Sequence, residues 1–137
     1  MTKQFLWVLV LPLAVLPLLA AANGAWLEKV PVTDRAQVNP LAGQAEHIAA
    51  GEKLYQESCA RCHGSDGKGR ASRPPVRSPR VAAATDGELQ WMLKNGQPFR
   101  GMPSWATLPE AERWQIVAYL RSIQTSAQSA PDATPAR

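Results

Sequence analysis

The chain has 137 residues, of which 45% are hydrophobic and 19% charged, and its formal net charge is +4 at pH 7. This length leaves room for one domain only. Two cysteines are too few for a scaffold held together by several disulfides.

The N-terminal segment has the order of residues found in export signals. A charged start with Lys3 is followed by an apolar stretch over residues 5–19 and then by three alanines. This order is typical of a secretory signal peptide, with cleavage before Asn23 or Ala25. Through the alanines the stretch is 18 residues long, which is also just enough for a membrane anchor. We predict a signal peptide or an N-terminal membrane anchor over residues 1–22 and a periplasmic location, either soluble or anchored to the inner membrane.

Composition divides the rest of the chain into three parts. Residues 23–43 contain prolines and no clear period, which indicates a linker. Residues 125–137 are rich in Ser, Ala, Pro and Thr and cannot bury enough surface to fold, so we predict a disordered tail. The folded domain then covers residues 44–124. A domain this small is marginal on its hydrophobic core alone and usually needs a further cross-link.

Three segments of this domain have the apolar spacing or end signals of helices, and none shows the alternation typical of strands. The predicted fold class is therefore all-α. The predicted helices are Glu46–Ser58, Asp86–Lys94 and a segment from about Pro109 to Ile123.

Two of these helices carry sequence signals for their ends. Thr85 is followed three residues later by Glu88, which predicts a capping box, and Gly96 follows the same helix as a stop signal. Thr107 and Glu110 have the same spacing and predict a capping box for the last helix.

Cys59 and Cys62 follow the first helix, and His63 comes immediately after them. A disulfide would close too short a loop to stabilise much. A thioredoxin-like pair would need alternating strands and helices, and a zinc site would lack its second pair of ligands. Cys-x-x-Cys-His is the attachment signature of haem c. We predict one haem c, bound covalently through both thiols, with His63 as an axial ligand of the iron.

Gly51, Tyr55 and Cys59 are spaced four residues apart, so they lie on nearly one face of the first helix. A glycine inside a helix costs about 1 kcal/mol relative to alanine. A close crossing with another helix would explain Gly51, and the alternative is a glycine that is merely tolerated.

Together these features resemble the class I cytochrome c family over roughly residues 45–124. The resemblance implies a small cytochrome c fold, with three to five helices wrapped around one covalently bound haem. It also implies that Gly51 and Tyr55 meet the Ala118–Leu120 region where the first and last helices cross. The matching elements, in chain order, are Gly51-x-x-x-Tyr55-x-x-x-Cys59-x-x-Cys62-His63, Gly101-Met102-Pro103 and Trp114-x-x-Val117-Ala118-Tyr119-Leu120.

The same resemblance assigns the remaining contacts of the iron. In the family a loop methionine is the sixth ligand, which carries over to Met102. A backbone carbonyl near a loop proline accepts the Nδ1 proton of the axial histidine, which here means Pro74 or Pro75.

The sequence itself also favours Met102, because it lies between a glycine and a proline in a non-helical loop. Met92 falls inside a predicted helix, where methionine normally fills the core. His47 lies near the start of the first helix and is expected to be a solvated surface residue. His47 as the ligand, or an open sixth site, are the alternatives to Met102.

Five basic residues fall within thirteen positions of the chain. Three interpretations of this run are open. It could be a docking face for an acidic redox partner, it could contain an arginine that binds a haem propionate, or it could be a solvated loop with no binding role. With Lys3 removed the formal charge is +3, and no nucleic-acid partner is expected. The five residues are Lys68, Arg70, Arg73, Arg77 and Arg80.

A His/Met ligand pair suits electron transfer, because both axial positions are filled and the thioether favours ferrous iron. The predicted function is a one-electron carrier with no catalytic residues. Its redox partners would be a dehydrogenase, a quinol oxidoreductase or a terminal oxidase. The alternatives are an anchored electron-transfer subunit of an oxidoreductase complex, and a haem sensor or peroxidase with an open sixth site.

Overall fold

The structure is a computed structural model, and it describes residues 25–128. The predicted signal peptide or anchor, residues 1–22, lies outside the described residues, as do residues 129–137 of the predicted tail. The chain divides into two compact units between Pro31 and Val32. In the described part of the first unit, Leu27–Lys29 forms a 3-10 turn. None of the helices within residues 25–128 has the length and apolar character needed to cross a membrane.

The described part of the second unit is helical, with no named strand, which confirms the all-α fold class. It contains six α-helices, one more than the upper limit of the predicted three to five. The additional segments, α1, α3 and α4, have only four or five residues each, too few to show a helical period in sequence. The helices are α1 (Val32–Arg35), α2 (Ala45–Ser58), α3 (Ala60–His63), α4 (Pro79–Ala83), α5 (Asp86–Asn95) and α6 (Glu110–Gln128), and Pro98–Arg100 is a 3-10 turn.

The fold is organised around a close crossing of α2 and α6. Gly51 is buried in this contact, and a Cβ atom at its position would overlap the backbone carbonyl of Gln115. One helical turn further along each helix, the rings of Tyr55 and Tyr119 lie 5.2 Å apart between centroids. The expected crossing is therefore present. Tyr55 meets the predicted Ala118–Leu120 region through Tyr119. Gly51 lies one turn before Tyr55 in α2 and therefore contacts α6 one turn earlier, at Gln115.

The hydrophobic core is formed mainly by α5 and α6. Met92 is buried there, as the sequence predicted for a methionine inside a helix. Its sulfur atom accepts a hydrogen bond from Gln97 Nε2 at 3.5 Å. The buried apolar residues of the two helices are Leu89, Met92, Leu93, Trp114, Ile116, Val117, Ala118, Tyr119 and Leu120.

The predicted capping box of α5 is confirmed. Thr85 Oγ1 accepts a hydrogen bond from the Glu88 amide at 3.1 Å, and Glu88 Oε2 accepts one from the Thr85 amide at 2.8 Å. Gly96 ends the helix with a φ of 64°, a conformation that glycine adopts at little cost. The carbonyl of Pro103 lies where a side chain at Gly96 would need to be.

The capping box predicted for α6 is wrong. The carbonyl of Pro109 accepts the first helical hydrogen bonds, from Glu112 and Arg113 at 3.1 and 3.2 Å. Pro109 is therefore the residue at the cap, since the cap carbonyl begins the helical ladder. The Glu110 carboxylate instead accepts a hydrogen bond from Trp114 Nε1 at 3.2 Å.

Two segments at the predicted domain boundaries are also structured. Within the predicted linker, the Arg35 carbonyl accepts a hydrogen bond from Thr85 Oγ1 at 2.9 Å, and Asn39 Nδ2 donates to the Trp114 carbonyl at 2.9 Å. At the other end α6 continues to Gln128, so residues 125–128 of the predicted tail are helical. These four residues contain neither glycine nor proline, so nothing in the sequence stops the helix there.

Candidate haem site

The two cysteines and the histidine of the motif project from one turn of backbone. Cys59 ends α2, with its amide donating to the Tyr55 carbonyl at 2.8 Å. The Cys59 carbonyl then accepts hydrogen bonds from the amides of Cys62 and His63 at 3.0 and 2.9 Å, which begins α3. Both cysteines are half-buried and form no disulfide. Burial, with a smaller contribution from Cys62, raises the pKa of the Cys59 thiol to about 11.

The imidazole of His63 is held in one orientation. Its Nδ1 atom lies 2.8 Å from the carbonyl oxygen of Pro74. Because a carbonyl oxygen can only accept a hydrogen bond, Nδ1 carries the proton and Nε2 keeps its lone pair. In the neutral imidazole this leaves the Nε2 lone pair free to bind a metal, with the ring orientation set by the carbonyl. Of the two prolines left open by the sequence, Pro74 therefore orients the ring.

The loop that brings Pro74 to His63 is fixed at several points. The His63 carbonyl accepts a hydrogen bond from the Gly69 amide at 2.7 Å, and the Gly64 carbonyl accepts one from the Tyr55 hydroxyl at 2.7 Å. Gly69 has a φ of 86°, and a Cβ at this position would lie 2.6 Å from the Arg73 carbonyl oxygen. The loop can fold back so tightly only with glycine at this position.

The hydroxyl of Tyr55 is a part of this arrangement that sequence reasoning missed. The sequence indicated only that the ring lies at a helix crossing. Burial raises the pKa of Tyr55 well above its ordinary value of 10.0, so the hydroxyl stays protonated as a donor at neutral pH. Its bond to Gly64 connects the helix crossing to the residue that follows His63.

Met102 lies in a second loop that is closed by a pair of backbone hydrogen bonds. The Gln97 amide donates to the Met102 carbonyl at 2.9 Å, and the Met102 amide donates to the Gln97 carbonyl at 3.1 Å. Beyond Met102, the Ser104 hydroxyl donates to the Lys94 carbonyl at 2.5 Å and the Trp105 amide donates to the Leu93 carbonyl at 2.9 Å. These bonds hold the half-buried methionine against the end of α5.

The structure brings the two loops together. Arg73, the residue before Pro74, donates from Nη1 to the Arg100 carbonyl at 3.3 Å. The same Nη1 lies 2.7 Å from the position of a Cβ at Gly101, the residue before Met102. The loop that orients His63 and the loop that carries Met102 are thus in contact.

The alternative ligand His47 is placed elsewhere. It lies twelve residues before Cys59 in α2, which at the rise of an α-helix is a separation of about 18 Å. Its Nδ1 atom is 3.3 Å from Gln115 Nε2, and its side chain is 26% exposed, so it is less solvated than predicted. This position does not suit a ligand of an iron bound by His63.

The basic residues of the run make different contacts. Lys68 pairs with Asp66 at 3.4 Å, and the side chain of Arg77 lies against Gly67. The Lys68 amide and ammonium groups together hold the pKa of Asp66 below its usual value. Arg70 instead borders a cleft of about 600 Å³. The cleft is lined by Gln56, Ala60, Arg61, Gly64, Ser65, Asp66, Gly69 and Arg70, and it includes none of the predicted haem contacts.

The chemistry of these side chains fits a haem c. Two thiols about one helical turn apart can each form a thioether with a vinyl group, and an imidazole with a free Nε2 follows them. The thioether of Met102 is presented by the adjoining loop. Within residues 25–128, no three His, Cys, Asp or Glu side chains are grouped so as to hold a metal ion by themselves.

Comparison with known proteins gives one family. The family model described as cytochrome c oxidase, cbb3-type, subunit III matches residues 46–120, which is more than half of the chain. The matched range includes Cys59, Cys62, His63 and Met102. No curated protein matches the sequence.

Proposed function

The chain belongs to the cbb3-type cytochrome c oxidase subunit III family, whose domains are class I c-type cytochromes, and we propose that it is a one-electron carrier with a His/Met-ligated haem. Domains of this family bind haem c covalently and are generally electron carriers rather than enzymes. In this chain Cys59 and Cys62 would form the thioethers, and His63 and Met102 would be the axial ligands.

The hydrogen bond from His63 Nδ1 to the Pro74 carbonyl carries this proposal. It leaves Nε2 as the free donor atom of the ring and fixes the direction of its lone pair. A ligand that is held in place before and after the change of oxidation state contributes little reorganisation to the transfer of an electron. The protein supplies this orientation, while the bound haem supplies the redox chemistry.

The assignment of Met102 as the second ligand is supported by the contact between the two loops. Arg73 and Arg100 join the loop that orients His63 to the loop that carries Met102. Met92 is buried in the core and His47 lies at the far end of α2, so neither competes for this position. With both axial positions filled, oxygen and peroxide find no open site, which favours electron transfer over sensing or peroxidase chemistry.

The family and the N-terminal sequence support a proposal for the partner and the location. The family is named for a subunit of a terminal oxidase, so we propose that this protein passes electrons to such an oxidase in the periplasm. The same name favours the second candidate, an anchored electron-transfer subunit that keeps residues 5–22. Intact mass and N-terminal sequencing of the protein from membranes and from the periplasm separate the two, since a subunit anchored in this way keeps its N-terminal segment.

The ferric absorption spectrum of the holoprotein tests the ligand assignment. We expect a sulfur-to-iron charge-transfer band that disappears in Met102→Ala and persists in Met92→Leu, the matched control in the core. Reduced Met102→Ala should bind carbon monoxide readily, whereas the unmodified protein should not. A high-spin ferric state in the unmodified protein would contradict the carrier and support the open-site alternative.

A further inference from the structure

Arg73 occupies a particular place between the two loops of the haem site. Its backbone amide donates to the Arg70 carbonyl at 2.8 Å, which fixes the turn that precedes Pro74. Its neighbour Pro74 accepts the hydrogen bond from His63. Its guanidinium group reaches the opposite loop and donates to the Arg100 carbonyl. One residue thus contacts both the segment that orients His63 and the segment that carries Met102.

The opposite loop is shaped to receive this side chain. Gly101 has a φ of 78° and lies in the left-handed region, where glycine is favoured. A side chain at Gly101 would meet Arg73 Nη1 at 2.7 Å and push it away. The guanidinium therefore lies directly against the backbone of the residue before Met102. Because Arg73 is exposed and its bond to the Arg100 carbonyl is 3.3 Å long, we assign this bond an ordinary net strength.

The nearby basic side chains do not make this contact. Lys68 pairs with Asp66, Arg70 borders the cleft beside the motif, and Arg77 lies against Gly67. Arg70 is exposed, lies in the same loop and carries the same charge as Arg73, which makes it a matched control.

We propose that Arg73 is a positioning residue that ties the Met102 loop to the loop orienting His63 and so slows the displacement of Met102 from the iron by external ligands. This inference rests on the proposed function, since it requires Met102 to be a ligand. Met102 can leave the iron only when its loop moves outward, and that movement breaks the bond from Arg73 to the Arg100 carbonyl. Loss of the guanidinium therefore makes opening of the loop faster without changing the resting ligands.

Imidazole binding to the ferric holoprotein measures this opening. At saturating imidazole the rate of replacing Met102 reaches a limit, which is the rate at which the loop opens. We expect Arg73→Met to raise the limiting rate about fivefold, the factor corresponding to one hydrogen bond of ordinary net strength. Arg70→Met should leave it within about a factor of two. The resting charge-transfer band should be the same in both variants. The free energy of unfolding in urea should fall in Arg73→Met by about 1 kcal/mol, which is the fivefold factor converted at about 1.36 kcal/mol per tenfold, and should stay within about 0.5 kcal/mol in Arg70→Met. A larger fall in Arg73→Met would indicate a general loss of stability and would overturn the positioning role.

Three further outcomes overturn the proposal in different ways. If the unmodified protein lacks the charge-transfer band, Met102 is not the ligand, and the proposed ligand set fails with the role of Arg73. If the band is present and Arg73→Met has the same limiting rate as Arg70→Met, only the role of Arg73 fails. If Arg73→Met changes the reduction potential but not the limiting rate, the positive charge of Arg73 interacts with the haem, as it would in binding a propionate. Arg73 then does not hold the loop.

Discussion

At the scale of single residues, the side chains of His63 and Tyr55 depend on backbone groups nine or more residues away. His63 has its tautomer fixed by Pro74, eleven residues away. Tyr55 donates to the Gly64 carbonyl and also stacks at a tilt of 49° against Tyr119. Both tyrosines are buried residues, and burial favours the neutral form of an acid.

The titration of Tyr119 should appear in the dependence of stability on pH. Burial raises the pKa of Tyr119 above its ordinary value of 10.0, Glu52 and Asp66 add to the shift, and Gln56 and Arg77 oppose it. Tyr119 loses its proton at a lower pH in the unfolded state than in the folded state. Its contribution to the free energy of unfolding is therefore fully present below about pH 10 and declines as the pH rises further. We expect the free energy of unfolding to fall less steeply above about pH 10 in Tyr119→Phe than in the unmodified protein. Urea titrations of the holoprotein at a series of alkaline pH values measure this, and parallel curves would show that burial does not perturb Tyr119.

At the scale of elements, the close crossing of α2 and α6 sets the position of the haem motif. The motif begins at the C-terminal end of α2, so the angle and depth of this crossing place Cys59 relative to α6. Gly51 permits the approach, and the bulk of Tyr55 and Tyr119 limits it on the next turn. The capping box at Thr85 has a similar effect on α5, whose end carries the loop with Met102.

Replacing Gly51 by alanine should separate these helices. Alanine is the better helix former by about 1 kcal/mol, but its Cβ would overlap a backbone carbonyl that cannot rotate away. Overpacking of this kind costs about 1–3 kcal/mol, and the fixed backbone puts this case at the upper end. We expect Gly51→Ala to lower the free energy of unfolding by about 1–2 kcal/mol. The exposed position Lys53 on the same helix is the control, with a change within about 0.5 kcal/mol for Lys53→Ala. A stabilised Gly51→Ala protein would show that the helices can move apart freely.

At the scale of the whole molecule, the proposed ligand bonds act as the cross-link that a small domain needs. The iron would join His63 to Met102 and close a loop of about 40 residues, which includes α4 and α5. In the chain-entropy description, closing a loop of that length restricts the unfolded state and contributes about 4 kcal/mol. The haem is in this sense part of the folded structure as well as the redox centre.

This contribution should depend on having a ligand at position 102 rather than on methionine itself. Met102→Ala opens the loop, and we expect it to lower the free energy of unfolding by about 4 kcal/mol or somewhat less if solvent occupies the site. Met102→His offers another ligand and should retain most of the stability while losing the sulfur charge-transfer band. Denaturant unfolding of the ferric holoproteins, with the band recorded at each step, separates the two effects. Equal losses in both variants would mean that the ligand bond does not cross-link the chain.

The sequence by itself determined whatever depends on local pattern. The spacing of Cys59, Cys62 and His63 predicted covalent haem attachment, and the residues around Thr85 specified the start of α5. Caps and attachment motifs are made by residues only a few positions apart. The three shortest helices and the true cap of α6 could not be predicted in the same way, because four or five residues show no period and two capping patterns of equal spacing look alike.

Only the tertiary structure decided which distant groups meet. It selected Pro74 over Pro75, placed Gly51 against Gln115 rather than further along α6, and brought Arg73 to the Arg100 carbonyl in the loop that carries Met102. The physical reason is that these contacts depend on how the loops fold back at glycines and on how deeply two helices approach each other. Gly51 permits a close approach, but which residue of α6 it meets depends on the placement of both whole helices, which no short stretch of sequence specifies.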